Sequence, residues 1–158
     1  MHNFKKFRLF LLMILACLVL GFNQSALAED IVLKDLSGQS VNLSSYKGKP
    51  LIIFFWTTWC PYCRKEIKTL DQMYLQMQKE GITVFAVNIG ESGYRVKNFF
   101  KNYPLNLRVL IDTDSLSAQQ YNVMGVPTYV FIADSGLIIS DAHTLPEDYK
   151  SLLLKLKK

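Results

Sequence analysis

Apolar and polar residues fall into blocks along this chain, and their period changes from block to block. Leu51 to Trp56, LIIFFW, is an unbroken apolar run, which predicts a central strand covered on both faces. From Pro61 to Glu80 the apolar positions Cys63, Ile67, Leu70, Met73, Tyr74 and Met77 return every three or four residues, and Gly81 follows as a stop. That spacing predicts a helix of about five turns. Ile82 to Ile89 reads as a second buried strand, Tyr94 to Tyr103 as a helix closed by Pro104, Arg108 to Asp112 as a short strand and Ser115 to Tyr121 as a short helix. Thr128 to Ala133 and Leu137 to Ser140 predict a hairpin across Asp134-Ser135-Gly136, and Pro146 to Lys157 the last helix. Upstream, Ile31-Val32-Leu33 and Val41-Asn42-Leu43 flank Ser37-Gly38 as another short hairpin. Strands alternating with helices imply crossovers, hence an α/β chain with a mixed, mainly parallel central sheet, helices on both faces and an antiparallel edge from the late hairpin. With 158 residues, half of them apolar, one domain with its own core is expected.

The first residues stand outside this pattern. Lys5, Lys6 and Arg8 precede an uncharged apolar run from Leu9 to Phe22, and Ala26-Leu27-Ala28 supplies small residues before Glu29. This is the layout of a signal peptide over residues 1–28, which leaves 29–158 as the exported domain. Two alternatives stay open: an uncleaved N-terminal anchor, and a lipoprotein acylated at Cys17 within Ile14-Leu15-Ala16-Cys17. Removing the segment takes the formal charge from +5 to +2, because it holds three basic residues and no acidic one. No basic run with interleaved aromatics remains, so nucleic acid is not an expected partner; Leu152 to Lys158 is read as the last helix with a solvated face.

Two cysteines are left in the exported part, in Trp56 to Glu66, WTTWCPYCRKE. Their spacing could hold a metal, close a structural disulfide or cycle between dithiol and disulfide. Structural zinc wants four ligands, and there is no second CxxC or histidine pair, so no metal is expected. His143, in SDAHTLPED, is expected simply to be exposed. A disulfide closing so short a loop removes little chain entropy and would stabilise weakly. The redox reading has a mechanism. If the helix starts at Pro61, Cys60 caps it, and the free amides and helix dipole there favour a thiolate, making Cys60 the nucleophile. Cys63, one turn on and facing inward, can then resolve the mixed disulfide. No cofactor beyond a redox-active Cys60-Cys63 pair is required.

The stretch from Phe55 to Glu66, together with Gly125-Val126-Pro127-Thr128, resembles the thioredoxin superfamily. Gly48-Lys49-Pro50, Asn88-Ile89-Gly90-Glu91-Ser92, Leu110-Ile111-Asp112-Thr113-Asp114 and Tyr121-Asn122-Val123 narrow the resemblance to the ResA/TlpA group of thiol-disulfide oxidoreductases. The resemblance implies a thioredoxin-like fold with an N-terminal hairpin and an extra βα insertion. It implies that Glu91 handles the proton of the resolving thiol, for which a half-buried carboxylate with a raised pKa would suit. It implies that Pro127 is a cis-proline whose neighbour Val126 offers backbone groups to an extended substrate, with Trp59, Pro61 and Tyr62 around Cys60 and Trp56 shaping the apolar surface. The implied protein is a monomer at the outer face of the cytoplasmic membrane or in the periplasm. It would reduce disulfides in exported proteins, apocytochrome c being the group's typical client, and be recharged by a membrane electron donor.

Some positions depart from these patterns. Thioredoxin has a buried aspartate where this chain has Phe54, and Pro61-Tyr62 matches the dipeptide of glutaredoxins, which leaves the direction of electron flow open between reductase and oxidant or isomerase. A peroxidase, suggested by Thr57 three residues before Cys60 as in peroxiredoxins, would also need a proline where Ile53 stands. A copper chaperone would want a longer cysteine spacing and a partnering histidine.

Overall fold

The computed structural model describes residues 31–154. The signal-like segment, Cys17 and the last four residues lie outside them. The chain forms β1 (Val32–Asp35), β2 (Ser40–Asn42), a 3-10 turn (Leu43–Tyr46), β3 (Leu51–Trp56), α1 (Pro61–Lys79), β4 (Thr83–Ile89), α2 (Gly93–Phe99), β5 (Arg108–Asp112), α3 (Leu116–Gln120), β6 (Thr128–Ile132), β7 (Ile138–Ala142) and α4 (Tyr149–Leu154). The strands make one seven-stranded sheet in the order β2-β1-β5-β4-β3-β6-β7. It is mixed, as expected, but its parallel pairing is confined to β5-β4-β3. Both flanks are antiparallel: β2-β1 and β1-β5 on one side, β3-β6 and β6-β7 on the other. The reason is connection length. Hairpins reverse the chain at both ends, and only the helices α1 and α2 are long enough to carry it back for a parallel return.

Strand β3 explains the two-sided core. Ile52, Phe54 and Trp56 point into one apolar cluster with Cys63, Ile67, Leu70 and Met77 of α1, Val96 of α2, and Tyr149 and Leu153 of α4. Leu51, Ile53 and Phe55 point into the other, with Leu43, Phe85, Leu110 and Ala118 of α3. Period-two alternation in a strand with no polar face puts three large side chains on each side of the sheet. Each contributes about 1.5–3 kcal/mol on burial.

Several boundaries differ from expectation. α2 ends at Phe99 and not at Tyr103, because Phe100 turns into the core and the chain proceeds through tight turns, with Lys101 N donating to Asn98 O and Tyr103 N to Phe100 O. The residue before a proline also disfavours helix, which bars Tyr103. The last helix begins at Tyr149; Pro146 to Asp148 form its opening turn, where Tyr149 N donates to Pro146 O at 3.2 Å. β7 starts one residue later and ends two residues later than predicted, and is irregularly registered against β6 between Phe131 and Ile132.

Candidate active site

At the end of β3 the chain leaves the sheet through Thr57-Thr58-Trp59 and enters α1 at Cys60. Cys60 is the N-cap, in extended conformation, with Pro61 at the first helical position. Proline forgoes an amide hydrogen that no carbonyl could accept there. Cys60 Sγ instead accepts the Cys63 amide at 3.1 Å, so a free helix N–H points at sulfur. The two cysteines form a disulfide. Cys63 has no exposed surface and Cys60 almost none, whereas Pro61, Trp59 and Tyr62 stand out into solvent, Tyr62 at 76% exposure. An amide and a helix dipole aimed at Cys60 Sγ stabilise negative charge on that sulfur once the bond opens.

The Val126-Pro127 bond is cis. The Val126 carbonyl oxygen lies 3.9 Å from Cys60 Sγ, so two segments 66 residues apart meet at the disulfide. His143 is exposed, as expected, but not idle: its Nδ1 is 2.9 Å from the Pro127 carbonyl and 3.5 Å from Thr128 Oγ1. It braces the loop from the far side. Trp59, Val126, Met124, Ile89, Thr57 and Glu91 border a groove of about 520 Å³ beside the disulfide. Met124 is 91% and Trp59 61% exposed, an apolar rim where solvent-facing side chains are ordinarily polar. Trp56 takes no part in that rim. It is fully buried against Phe99 and Phe100, with centroids 5.7 and 5.3 Å away. Another cavity, of about 550 Å³ between Lys49, Tyr74 and Arg108, is lined by no cysteine.

Glu91 follows β4 after Gly90, whose φ of 69° is open to glycine and lets the chain double back under the β3 turn. The carboxylate is buried and fully engaged. Oε2 accepts the Thr58 amide at 2.6 Å and Asn88 Nδ2 at 2.8 Å; Oε1 accepts Thr58 Oγ1 at 2.6 Å and pairs with Arg95 Nε at 2.8 Å. Burial alone would push its pKa up, but the Thr58, Asn88 and Arg95 interactions together outweigh it and hold the carboxyl below its usual value of 4.5. This corrects the expected raised pKa. Four donors favour the charged form, which makes Glu91 a weaker proton acceptor than the resemblance implies. Phe54, in the place of thioredoxin's aspartate, has no exposed surface and packs on Tyr129, centroids 4.6 Å apart.

Among the described residues, no group of three or more His, Cys, Asp or Glu side chains could hold a metal ion. Thr58, Arg95 and His143 are site neighbours to which the sequence assigned no role. Thr58 precedes Cys60 by two residues and could have been suspected from that alone. Arg95 and His143 carry no local signal.

Residues 25–141 match the AhpC/TSA family. The thiol-disulfide oxidoreductase ResA of Bacillus subtilis is 34% identical over 131 residues, covering 80% of this chain and 73% of the relative. This chain belongs to the AhpC/TSA family, among its ResA-like thiol-disulfide oxidoreductases. Two solved structures share the fold. A secreted Mycobacterium tuberculosis disulfide oxidoreductase is 26% identical with a TM-score of 0.68, over 84% of this chain and 99% of its own. The exposed lipoprotein thioredoxin of Streptococcus pneumoniae is 28% identical with a TM-score of 0.69, over 81% and 98%. The thioredoxin-like fold is therefore shared with these structures, and the N-terminal hairpin docks on β5 through β1.

Proposed function

We propose that this oxidoreductase works outside the cytoplasm as a reductase of protein disulfides, with apocytochrome c as the client class. The observation that carries the reading is the meeting of Cys60 Sγ, the α1 amides and the Val126 carbonyl under an apolar rim. An extended polypeptide can pair with the backbone at Val126 while its own sulfur approaches Cys60. In the reduced protein the Cys60 thiolate attacks one sulfur of the client disulfide. That S–S bond breaks, and the departing client sulfur takes a proton. Cys63 then loses its proton and attacks Cys60 Sγ; the mixed disulfide breaks, the second client thiol is released and Cys60-Cys63 is left oxidised. Two electrons have moved to the client, and a membrane dithiol donor must return them to the pair.

In this scheme Cys60 is the nucleophile and Cys63 the resolving thiol. Pro127 and Val126 present the client backbone, while Trp59, Pro61 and Tyr62 contact its side chains. Glu91 serves as a fixed carboxylate, because its low pKa suits it poorly to taking up a proton from a thiol. The extracytoplasmic placement is supported by the signal-like residues 1–28 and by the secreted and surface-exposed character of the two structural neighbours.

Trapping tests the reading. A Cys63→Ala chain expressed in its envelope accumulates a mixed disulfide on Cys60 with cytochrome c precursors; equal recovery with Cys60→Ala sinks the proposal. The direction is decided by the reduction potential, which as a reductase lies well below the roughly −180 mV of protein disulfide isomerase.

A further inference from the structure

Every polar group of Thr58 is held. Its amide and hydroxyl donate to Glu91, its carbonyl accepts Arg64 Nε at 2.7 Å, and its Oγ1 is 3.4 Å from Arg95 Nε. The bonds come from both sides of the turn: Arg64 belongs to α1, which Cys60 begins, and Glu91 and Arg95 to the segment entering α2. Both Glu91 and Arg95 reach the turn from across the sheet, Glu91 by two bonds of 2.6 Å and Arg95 by a single one at 3.4 Å. A carboxylate this buried is costly unless its charge is paired. Thr58 and Asn88 bring neutral donors, and among the described residues Arg95 is the one cation bonded to Glu91. Its side chain is 62% exposed, so the fold has no packing reason to require an arginine there.

We propose that Arg95 is a positioning residue for thiol-disulfide exchange: by pairing with Glu91 it keeps that carboxylate clamped on Thr58 and so fixes the turn that carries Cys60. The inference rests on the oxidoreductase reading of this same site. Its physical basis is orientation. Sulfur transfer requires attacking and leaving sulfurs in line, and a turn free to shift by a fraction of an ångström loses that alignment in a share of encounters. Without Arg95, Glu91 gains by turning toward solvent or taking a proton, and either change releases the Thr58 amide and hydroxyl.

The test uses the reduced full chain and a synthetic peptide with one intramolecular disulfide, following mixed disulfide and free peptide thiol in single turnover. Arg95→Ala is expected to slow exchange about fivefold, as loosened alignment would. Its urea unfolding midpoint should fall by less than that of Glu91→Gln, because the Thr58 and Asn88 donors still satisfy much of the buried carboxylate. Arg95→Lys should regain most of the rate. In a Glu91→Gln background the alanine substitution should have little further effect, only what the direct 3.4 Å contact of Arg95 with Thr58 Oγ1 adds, since Arg95 acts chiefly through Glu91. Should Glu91→Gln fail to fold, Thr58→Val takes its place in the cycle. The inference is overturned by a wild-type rate in Arg95→Ala, by a lysine rate no better than alanine's, or by an arginine effect undiminished in the Glu91→Gln or Thr58→Val background. If Arg95→Ala proves normal while the wild type reduces the peptide, the oxidoreductase reading survives without the clamp. A wild-type chain inert toward the peptide overturns the proposed function and this inference with it.

Discussion

Glu91 and Asp112 are two buried carboxylates at the same end of neighbouring parallel strands, since Ile89 of β4 is the register partner of Asp112 of β5. Their donors differ. Asp112 takes Ser117 N at 3.3 Å, Ser117 Oγ at 2.7 Å and Ala118 N at 2.9 Å, all from the helix that follows it. It opens α3 in place of Ser115, whose side chain makes no capping bond. Glu91 takes its Thr58 donors from 33 residues earlier in the chain, and Thr58 is two residues from the reactive cysteine. A carboxylate satisfied by its own succeeding turn builds a helix; one satisfied across the sheet ties two segments together. Only the second can influence the chemistry.

Removing the local carboxylate should have the largest effect on stability. Asp112→Ala leaves two buried amides and a hydroxyl unpaired and should lower the unfolding free energy by about 3 kcal/mol, with exchange per folded molecule reduced less than by any change at Glu91. Urea unfolding beside single-turnover kinetics checks both halves. Glu91→Gln reverses the weighting: a stability loss of about 1–2 kcal/mol and an exchange rate about tenfold lower. If the two variants slowed exchange equally, the contrast between them would be lost.

Acid sharpens the comparison. The folded pKa of Glu91 is depressed, so its contribution to stability is complete above the unfolded value near 4.5 and fades as pH falls through the lower folded value. The gap in unfolding midpoint between wild type and Glu91→Gln should hold from pH 7 to about 4.5 and close below it. A gap that stays constant to pH 3 would mean that the charge on Glu91 does not hold the turn. The smallest effect is expected at Asp35, whose pairing with Arg108 at 2.7 Å fastens β1 to β5 near the surface. Asp35→Asn should cost less than about 1 kcal/mol and leave exchange unchanged.

Elements with strong periodicity were legible in advance. The unbroken LIIFFW run specified a strand buried on both faces, and the three-and-four spacing from Cys63 to Met77 specified α1. Proline at position 61 placed Cys60 at the helix cap. Weakly amphipathic ends were read too long, as at Tyr103 and Pro146, where side chains decide between helix and turn by what they pack against. The antiparallel hairpins were foreseen, but which strand each one joins was hidden, because hydrophobic runs do not state which edge a hairpin docks on. Within the site, Cys60 and Cys63 came from spacing and chemistry, and Glu91 and Pro127 from resemblance alone. Glu91's electrostatic state was misjudged because burial can be guessed from sequence but the donors that offset it cannot.

By itself the sequence determined what acts over a few residues: the strand that leads into WTTWC, the proline-started helix, the cysteine pair within one turn and the signal-like opening. These follow from backbone periodicity and capping, which read only near neighbours. Tertiary structure alone brought Val126 to Cys60, His143 to Pro127 and Arg95 to Glu91 and thence to Thr58. Such contacts join residues with no periodic relation along the chain. They exist because the sheet order sets β4 and β6 on either side of β3, so that the loops at those strand ends converge on one turn.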